Sequence, residues 1–447
     1  MTKYVLKFGG TSLKDSKSIK KAHSIISDFY DKKKPEQLVV VVSAPGKIGE
    51  GKLESKITNL LEEIYYGKNV DENKNEIVSR MDSICIRLEI NQPMHLYSEI
   101  KREIGANKNN DESYSRIVSN GEKLMVHTLS EYSRRELSKR KINVKSFDFK
   151  DFGMITNNYK DAYTTEDATL EIEKRLKGVD GILIIPGFIG YNEEYGEITT
   201  MGRDGSNYTA TKIAEAINAK GVYIFSDEPG VKRANPKFVP DAEIIKELSY
   251  DEAIEFAELG AKIINAKSIY PAKNENIPIY IVDENYNGTK ISNSVNLENR
   301  GAKIIASSSN NYIINVKYKE DKPGVLVGIS GYFRKAGINI ESIADERHSL
   351  SFAFTKKGNE NLEFLINNIG KDYNFNLENS FSRISLIGEG MKNQVGVIKK
   401  ISYIYENKGI SFEMISQGIN QLNITTFIKQ EHERIAVKGL YDGFFRK

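Results

Sequence analysis

The chain has 447 residues, with 64 Lys+Arg set against 61 Asp+Glu, 5 His, 10 Pro, 1 Cys and no Trp. That length suits two to four domains at roughly 100–200 residues each. The net charge of +3 argues against a general nucleic-acid binder, which carries a strongly basic face. The lone Cys85 excludes an intrachain disulfide and a multi-thiolate metal site, and is compatible with a reducing compartment. The first ten residues carry no apolar h-region, and the longest apolar runs, Leu38–Val42 and Ile182–Ile185, are strand-sized. A cytoplasmic protein with no membrane partner is therefore expected.

Taken in chain order, Tyr4–Phe8 reads as a strand. Ser16–Lys33 follows with helical spacing through Ile19, Ala22, Ile25, Ile26 and Phe29. Leu38–Val42 reads as a strand apolar on both faces. Long helical stretches are predicted near Glu54–Tyr66, Asn75–Ile104 and Tyr114–Arg140, with Glu50–Lys56, Asn69–Asn73 and Asn107–Glu112 as surface loops. Further strands are predicted at Asn143–Phe147, Gly181–Ile185, Val222–Phe225 and Ile279–Val282, with helices near Glu166–Leu176, Ser206–Asn218 and Asp251–Ala266. Such β–α alternation predicts an α/β fold with a mainly parallel sheet and helices on both faces. Phe188–Met201, with a polar Gly190–Gly196 turn between apolar arms, predicts a hairpin.

A boundary rich in Asn, Ser and Gly covers Glu284–Ser309, and an internal repeat follows it. Gly324 and Gly337 recur as Gly396 and Gly409, both pairs 72 residues apart. Each repeat reads strand–helix–strand–strand–helix, with Ile338 and Ile340, and their counterparts Ile410 and Phe412, facing a core.

Three clusters can carry chemistry. Lys7-Phe8-Gly9-Gly10-Thr11-Ser12 ends the first strand and opens a helix, so backbone amides and a lysine can meet an anion there. Thr199–Asn207 holds a second glycine turn with Arg203, which can fork onto a carboxylate or phosphate. Ser119-Asn120-Gly121-Glu122 puts a glycine inside a helical pattern, beside a carboxylate able to bind an amine. Each has a bland alternative: a plain turn, a helix cap, a solvated glutamate. Asp151-Phe152-Gly153 spells a protein-kinase tripeptide without that family's other motifs, and the five histidines lack ligand spacing.

These clusters occur in order with Ser43-Ala44, Gly187-Phe188-Ile189-Gly190, Ser226-Asp227-Glu228-Pro229-Gly230-Val231 and Leu259-Gly260-Ala261-Lys262. Over essentially its whole length the chain resembles monofunctional aspartokinases, of the amino-acid kinase family, with tandem regulatory ACT domains. The resemblance implies an amino-acid kinase sandwich over 1–290 and two βαββαβ ACT domains at 306–380 and 381–447. It implies transfer of the ATP γ-phosphoryl group to the side-chain carboxylate of L-aspartate, with Mg²⁺ bridging the phosphates, as a first step towards lysine, threonine, methionine and diaminopimelate.

By the same matching, Lys7 stabilises the transferring phosphoryl group. Gly9, Gly10 and Ser12 assist it. Ser43, Thr58, Glu122, Arg203 and Ser206 hold the substrate, with Glu122 on the α-amino group and Arg203 on the α-carboxylate. Ser226, Asp227, Lys232, Lys237 and Lys262 serve the nucleotide. The chain departs from the family's Gly-Arg-Gly-Gly-Ser-Asp, reading Gly202-Arg203-Asp204-Gly205-Ser206-Asn207. The expectation is that Asp204 supplies the carboxylate missing at Asn207. Lys232, Asn235 and Lys237 replace the usual Tyr, Asp and Arg, and Asn265-Ala266 replaces His-Pro. The positions matching an effector pocket are Asp321, Gly324, Val325, Leu326, Asn339, Ile340, Glu341 and Asp345, with lysine the expected effector. A dimer or tetramer through the ACT domains is implied as well. Two other readings stay open: another small-carboxylate kinase, such as an acetylglutamate-type enzyme, and an amino-acid sensor with an impaired kinase domain.

Overall fold

The computed structural model describes residues 2–48, 55–202, 204–228, 230–259, 264–293, 301–319, 323–356, 361–391, 394–418 and 422–446. The chain divides into two compact units. The first takes Met1–Val231, Lys246–Tyr250 and Ile263–Val295, and the second takes Lys232–Ile245, Asp251–Lys262 and Asn296–Lys447.

In chain order the elements are β1 (Lys3–Phe8), α1 (Ser16–Lys33), β2 (Gln37–Val42), α2 (Ile57–Tyr65), α3 (Val70–Leu88), α4 (Met94–Gly105), α5 (Asp111–Val118), α6 (Asn120–Leu137), β3 (Val144–Ser146), α7 (Ala168–Leu176), β4 (Gly181–Pro186), β5 (Ile189–Asn192), β6 (Glu197–Thr200), α8 (Gly205–Ile217), β7 (Val222–Phe225), β8 (Glu247–Leu248), α9 (Tyr250–Glu258), α10 (Tyr270–Asn274), β9 (Ile279–Val282) and β10 (Gly288–Ile291). Eight strands form one sheet in the order β3-β4-β2-β1-β7-β9-β10-β8. The pairs among β1, β2, β3, β4, β7 and β9 are parallel, while β10 runs antiparallel to β9. Alternate strand residues Leu6, Phe8, Leu38, Val40, Val42, Ile182 and Ile184 join one core with α1, α3 and α6. Val5, Val39, Val41, Leu183 and Ile185 are buried on the opposite face. A strand buried on both faces needs an unbroken apolar run, which is what β2 carries.

Several predicted helices are divided. Periodicity over Asn75–Ile104 continues through a break where Glu89 is left-handed (φ 54°) and Pro93 precedes α4. The stretch Tyr114–Arg140 breaks at Ser119, so Asn120, Gly121 and Glu122 open α6 rather than lie inside a longer helix. Asn69–Asn73 is not a loop. Asn69 is left-handed, α3 starts at Val70, and the Asn73 amide donates to Glu63 Oε2 at 2.9 Å. The boundary predicted over Glu284–Ser309 holds β10 and the start of the next strand.

The second unit continues with β11 (Ile304–Lys317), α11 (Val325–Ala336), β12 (Ile340–Glu346), β13 (Ser349–Thr355), α12 (Leu362–Asp372), β14 (Asn374–Ile387), α13 (Val397–Glu406), β15 (Met414–Ser416), β16 (Asn423–Lys429) and α14 (Glu433–Phe445). Its sheet runs β12-β13-β11-β14-β16-β15. The repeat is visible in the backbone. Gly324 and Gly396 cap α11 and α13 at φ 98° and 87°, and Gly337 and Gly409 follow those helices at φ 73° and 66°. Leu326 and its counterpart Ile398 are each 43% exposed, and Ile343 and Ile415 each 42%, so matched positions share an environment. The threading is nested. Ile304–Ser308 precedes the first repeat yet pairs with Arg383–Ile387 of the second. Residues 232–245 enter the same unit because Ala234, Val239 and Ala242 pack into the second repeat's core with Ile401, Tyr405 and Leu440. Among the described residues no helix is long and apolar enough to cross a membrane.

Candidate active site

In an open parallel sheet, ligands bind beyond the carboxyl ends of the strands, where the strand order reverses. Here β1 is the reversal point, with β2 on one side and β7 on the other. A cavity of 660 Å³ opens there, lined by residues following β1 (Gly10, Thr11), β2 (Ser43, Ala44) and β6 (Gly202, Asp204, Gly205, Ser206). Lys7, Lys56, Thr58, Asn59, Glu62, Tyr114, Glu122, Lys160, Asp161, Phe188 and Thr200 complete the lining.

Close backbone approach explains the glycines. A Cβ on Gly10 would lie 2.8 Å from the Ala44 carbonyl oxygen, and one on Gly121 would lie 2.6 Å from the Ala44 Cβ. The glycine in the helical pattern therefore lets α6 press its first turn against the loop after β2. That contact delivers Glu122, which is 4% exposed. Its Oε1 accepts from the Ala44 N–H at 3.1 Å, and its buried Oε2 has no hydrogen-bond partner among the described residues. Burial pushes the Glu122 carboxyl up to about 8, against the pull of the Ala44 and Glu122 backbone amides and of Lys7. Lys7 is buried at the end of β1, and burial lowers its pKa. Asp204, then Glu122, oppose that shift, and Lys56 adds to it.

Asp204 caps α8 from a left-handed conformation (φ 70°), which aspartate tolerates better than most residues. Its Oδ1 accepts from the Asn207 side-chain amide at 2.8 Å, and its Oδ2 from the Asn265 backbone N–H at 2.7 Å. Three positions at which the chain departs from the aspartokinase pattern thus meet through hydrogen bonds.

The cavity brings together seven of the expected residues: Lys7, Gly10, Ser43, Thr58, Glu122, Asp204 and Ser206. Asn207 is buried behind Asp204. A Cβ on Gly9 would lie 3.5 Å from Lys7 Nζ. Ser12, Ser226 and Asp227 line a separate cleft of 210 Å³, which shares Thr11 with the larger cavity. Lys232 and Lys237 belong to the C-terminal unit. Arg203, Lys262 and Asp321 lie outside the described residues.

Sequence reasoning missed Lys56, Lys160 and Asp161. Lys160 sits 4.1 Å over the Tyr114 ring, and Asp161 packs where a Cβ on Gly202 would come within 2.0 Å of its Oδ1. Their loop is tied to β6 by the Thr200 N–H to Tyr159 carbonyl bond (2.7 Å) and the Ala162 N–H to Thr200 carbonyl bond (3.0 Å). No local pattern announces a meeting made by tertiary pairing. Only Gly202 hinted that something lies close.

Of the effector positions, Gly324 caps α11, Val325 opens it, and Leu326 and Asn339 are exposed. Ile340 starts β12 and packs on the first repeat's core, and Asp345 is exposed on β12. Glu341 is already engaged. Its Oε2 lies 2.8 Å from an Arg383 guanidinium nitrogen, and its Oε1 accepts from the Thr355 hydroxyl at 2.8 Å.

Comparison with known proteins agrees with this architecture. The amino acid kinase family pattern matches residues 2–283, and the ACT domain pattern matches residues 384–444. The chain is 26% identical to chloroplastic aspartokinase 2 of Arabidopsis thaliana, covering 99% of this chain and 84% of that protein. It is also 26% identical to aspartokinase 3 of Bacillus subtilis, covering 99% and 98%. Among solved structures, Escherichia coli aspartokinase III in complex with aspartate and ADP superposes with a TM-score of 0.80 at 24% identity, covering 99% of both chains. Because the family pattern runs unbroken from β1 through β9, enclosing every strand end that walls the cavity, the chain belongs to the amino acid kinase family.

Proposed function

We propose that this chain is an aspartate kinase, transferring the γ-phosphoryl group of ATP to the side-chain carboxylate of L-aspartate. One observation carries the reading: a buried glutamate, Glu122, with an oxygen that has no partner among the described residues, faces the same cavity as a buried lysine, Lys7. Such a pair suits a substrate that brings an ammonium for the one and an anion for the other. The full-length likeness to aspartokinases supports it.

The substrate carboxylate, with a pKa of about 3.9, is ionised at neutral pH, so no general base is required. A carboxylate oxygen forms the new bond to the γ-phosphorus as the bond to the ADP oxygen breaks, and the electron pair leaves on the β-phosphate. Catalysis is then positioning and charge stabilisation. Lys7 supplies a positive charge in a buried site, with the amides of Gly9 and Gly10 beside it. Asp204 holds Lys7 in its charged form against burial. Glu122, Ser43, Thr58, Ser206 and Arg203 are assigned to aspartate. Ser12, Ser226, Asp227, Lys232, Lys237 and Lys262 are assigned to the nucleotide. Among the described residues no group of three or more His, Cys, Asp or Glu could hold a metal ion. From the reaction itself, Mg²⁺ is assigned to the nucleotide as the Mg–ATP co-substrate.

Feedback control by an end-product amino acid, lysine first, is assigned to the first repeat, along with assembly into a homo-oligomer. One relative by fold, E. coli aspartokinase III, has been solved in complex with lysine and aspartate. The pocket positions are Asp321, Gly324, Val325, Leu326, Asn339, Ile340, Glu341 and Asp345. An effector ammonium reaching Glu341 competes with Arg383. If lysine, threonine and methionine, singly and paired, leave turnover and aspartate affinity unchanged, this regulatory assignment fails.

The activity is tested by trapping the acyl phosphate with hydroxylamine. Hydroxamate should form with Mg–ATP and L-aspartate and not with N-acetylglutamate. The reverse preference would assign an acetylglutamate-type kinase, and no product with either would assign a sensor.

A further inference from the structure

Three of the backbone segments that wall the cavity share an anchor beyond the strand ends. The turn after β1 runs through a short 3-10 helix, Gly10–Leu13, closed by Lys14. The loop after β2 passes Ser43, Ala44 and Gly46, and the chain returns through Ser55 and Lys56 into α2, which carries Thr58. A buried arginine on α3, Arg80, reaches all three. It is 8% exposed. One terminal nitrogen donates to the Ser55 carbonyl at 3.0 Å. The other donates to the Lys14 carbonyl at 3.2 Å and to the Gly46 carbonyl. Gly46 passes the constraint on: its N–H donates to the Gly10 carbonyl at 2.8 Å, and a Cβ there would lie 2.5 Å from the Gly10 carbonyl carbon.

We infer that Arg80 is a positioning residue of the reaction, its guanidinium fixing the segments that carry Gly10, Ser43 and Ala44 and that lead into Thr58 on α2 at the spacing the substrate needs. A planar fork with five donors can serve three carbonyls on diverging segments, which a lysine's compact charge cannot. Arg80 does not line the cavity and acts through the backbone it holds. The Gly46 and Ser55 carbonyls flank the wall assigned to aspartate, and Ala44 of that wall orients Glu122. Aspartate affinity should therefore respond more than ATP affinity. This inference rests on the aspartate-kinase reading.

The test uses full-length Arg80→Lys and Arg80→Ala with steady-state kinetics and thermal denaturation. A displacement of about 1 Å at a positioned wall costs about 100-fold in rate. We expect kcat/KM for aspartate to fall by about that factor, with the aspartate KM rising at least about fivefold more than the ATP KM. Millimolar ethylguanidinium should restore part of the activity of Arg80→Ala. Kinetic constants within about twofold of wild type, or equal rises in both KM values that follow a fall in Tm without rescue, would overturn the inference. So would failure of both variants to fold, which would assign Arg80 to stability alone. A wild-type chain unable to phosphorylate aspartate would defeat the enzyme reading itself, and this inference with it.

Discussion

Glu122→Gln tests the electrostatics of the site without a ligand. Burial holds the Glu122 carboxyl near 8, against an ordinary 4.5. A group whose folded pKa is raised contributes stability that is complete below its unfolded pKa and is lost as pH rises through the folded one. The window therefore runs from about pH 4.5 to about pH 8. At about 1.36 kcal/mol per unit, roughly 2 kcal/mol is lost by pH 6 and nearly 5 by pH 9, so the wild type should weaken by about 3 kcal/mol between them. For the catalytic unit that is a fall in Tm of about 6 °C or more. Glutamine fills the same space and carries no charge, so the variant lacks this slope. Lys7, whose pKa burial lowers, contributes with the opposite sign in both proteins, and more so in the variant, where the opposing Glu122 charge is gone. The assay is thermal denaturation of both ligand-free proteins at matched ionic strength from about pH 6 to about pH 9. Parallel Tm curves would show instead that Glu122 titrates as an ordinary carboxylate.

Three further outcomes are expected. Asp204→Ala should lower kcat by about 100-fold or more and Asn207→Ala by about tenfold or less; the opposite order would place the Lys7-orienting role on Asn207. Gly202→Ala should push Asp161 away and raise the aspartate KM about tenfold, whereas Gly331→Ala, which meets open space, should leave it unchanged; equal effects would remove Asp161 from the site wall. Lys303→Met should destabilise the C-terminal unit by about 3–5 kcal/mol in urea titration, because its fully buried partner Glu252, 2.8 Å away, loses this cation. Lys303→Met with Glu252→Met should recover much of that loss, and a double variant as weak as the single one would show that the pair's charges were not the cause.

Much of the fold was legible where local signals act alone. Helix α1 was read to the residue, Ser16–Lys33, from an apolar stripe bounded by polar ends. Strand β2 was read from its unbroken valines, and the repeat from four glycines that hold positive φ. Helix breaks were read poorly. The apolar period runs on through Glu89 and Ser119; Pro93 was a local signal for the first break, and Ser119 carries none for the second. Unit membership was the least legible. Ala234, Val239 and Ala242 are unremarkable small apolar residues in sequence, and only packing with α13 and α14 draws them into the C-terminal unit. At the site, Lys7 and Glu122 were found through motifs. Lys56, Lys160 and Asp161 reach the cavity on loops whose path is set by pairing to β6 and by the start of α2. Arg80 was missed for a related reason: one arginine in a helix looks like any solvated charge until three distant carbonyls converge on it.

Borohydride trapping reads the product of phosphoryl transfer to the aspartate side chain directly. Reduction of a 4-aspartyl phosphate yields homoserine, while unreacted aspartate survives. Homoserine is expected only when Mg–ATP, L-aspartate and intact Lys7 are all present, with ADP formed in equal amount. ATP turnover without homoserine, or homoserine at wild-type yield from Lys7→Met, would contradict that expectation.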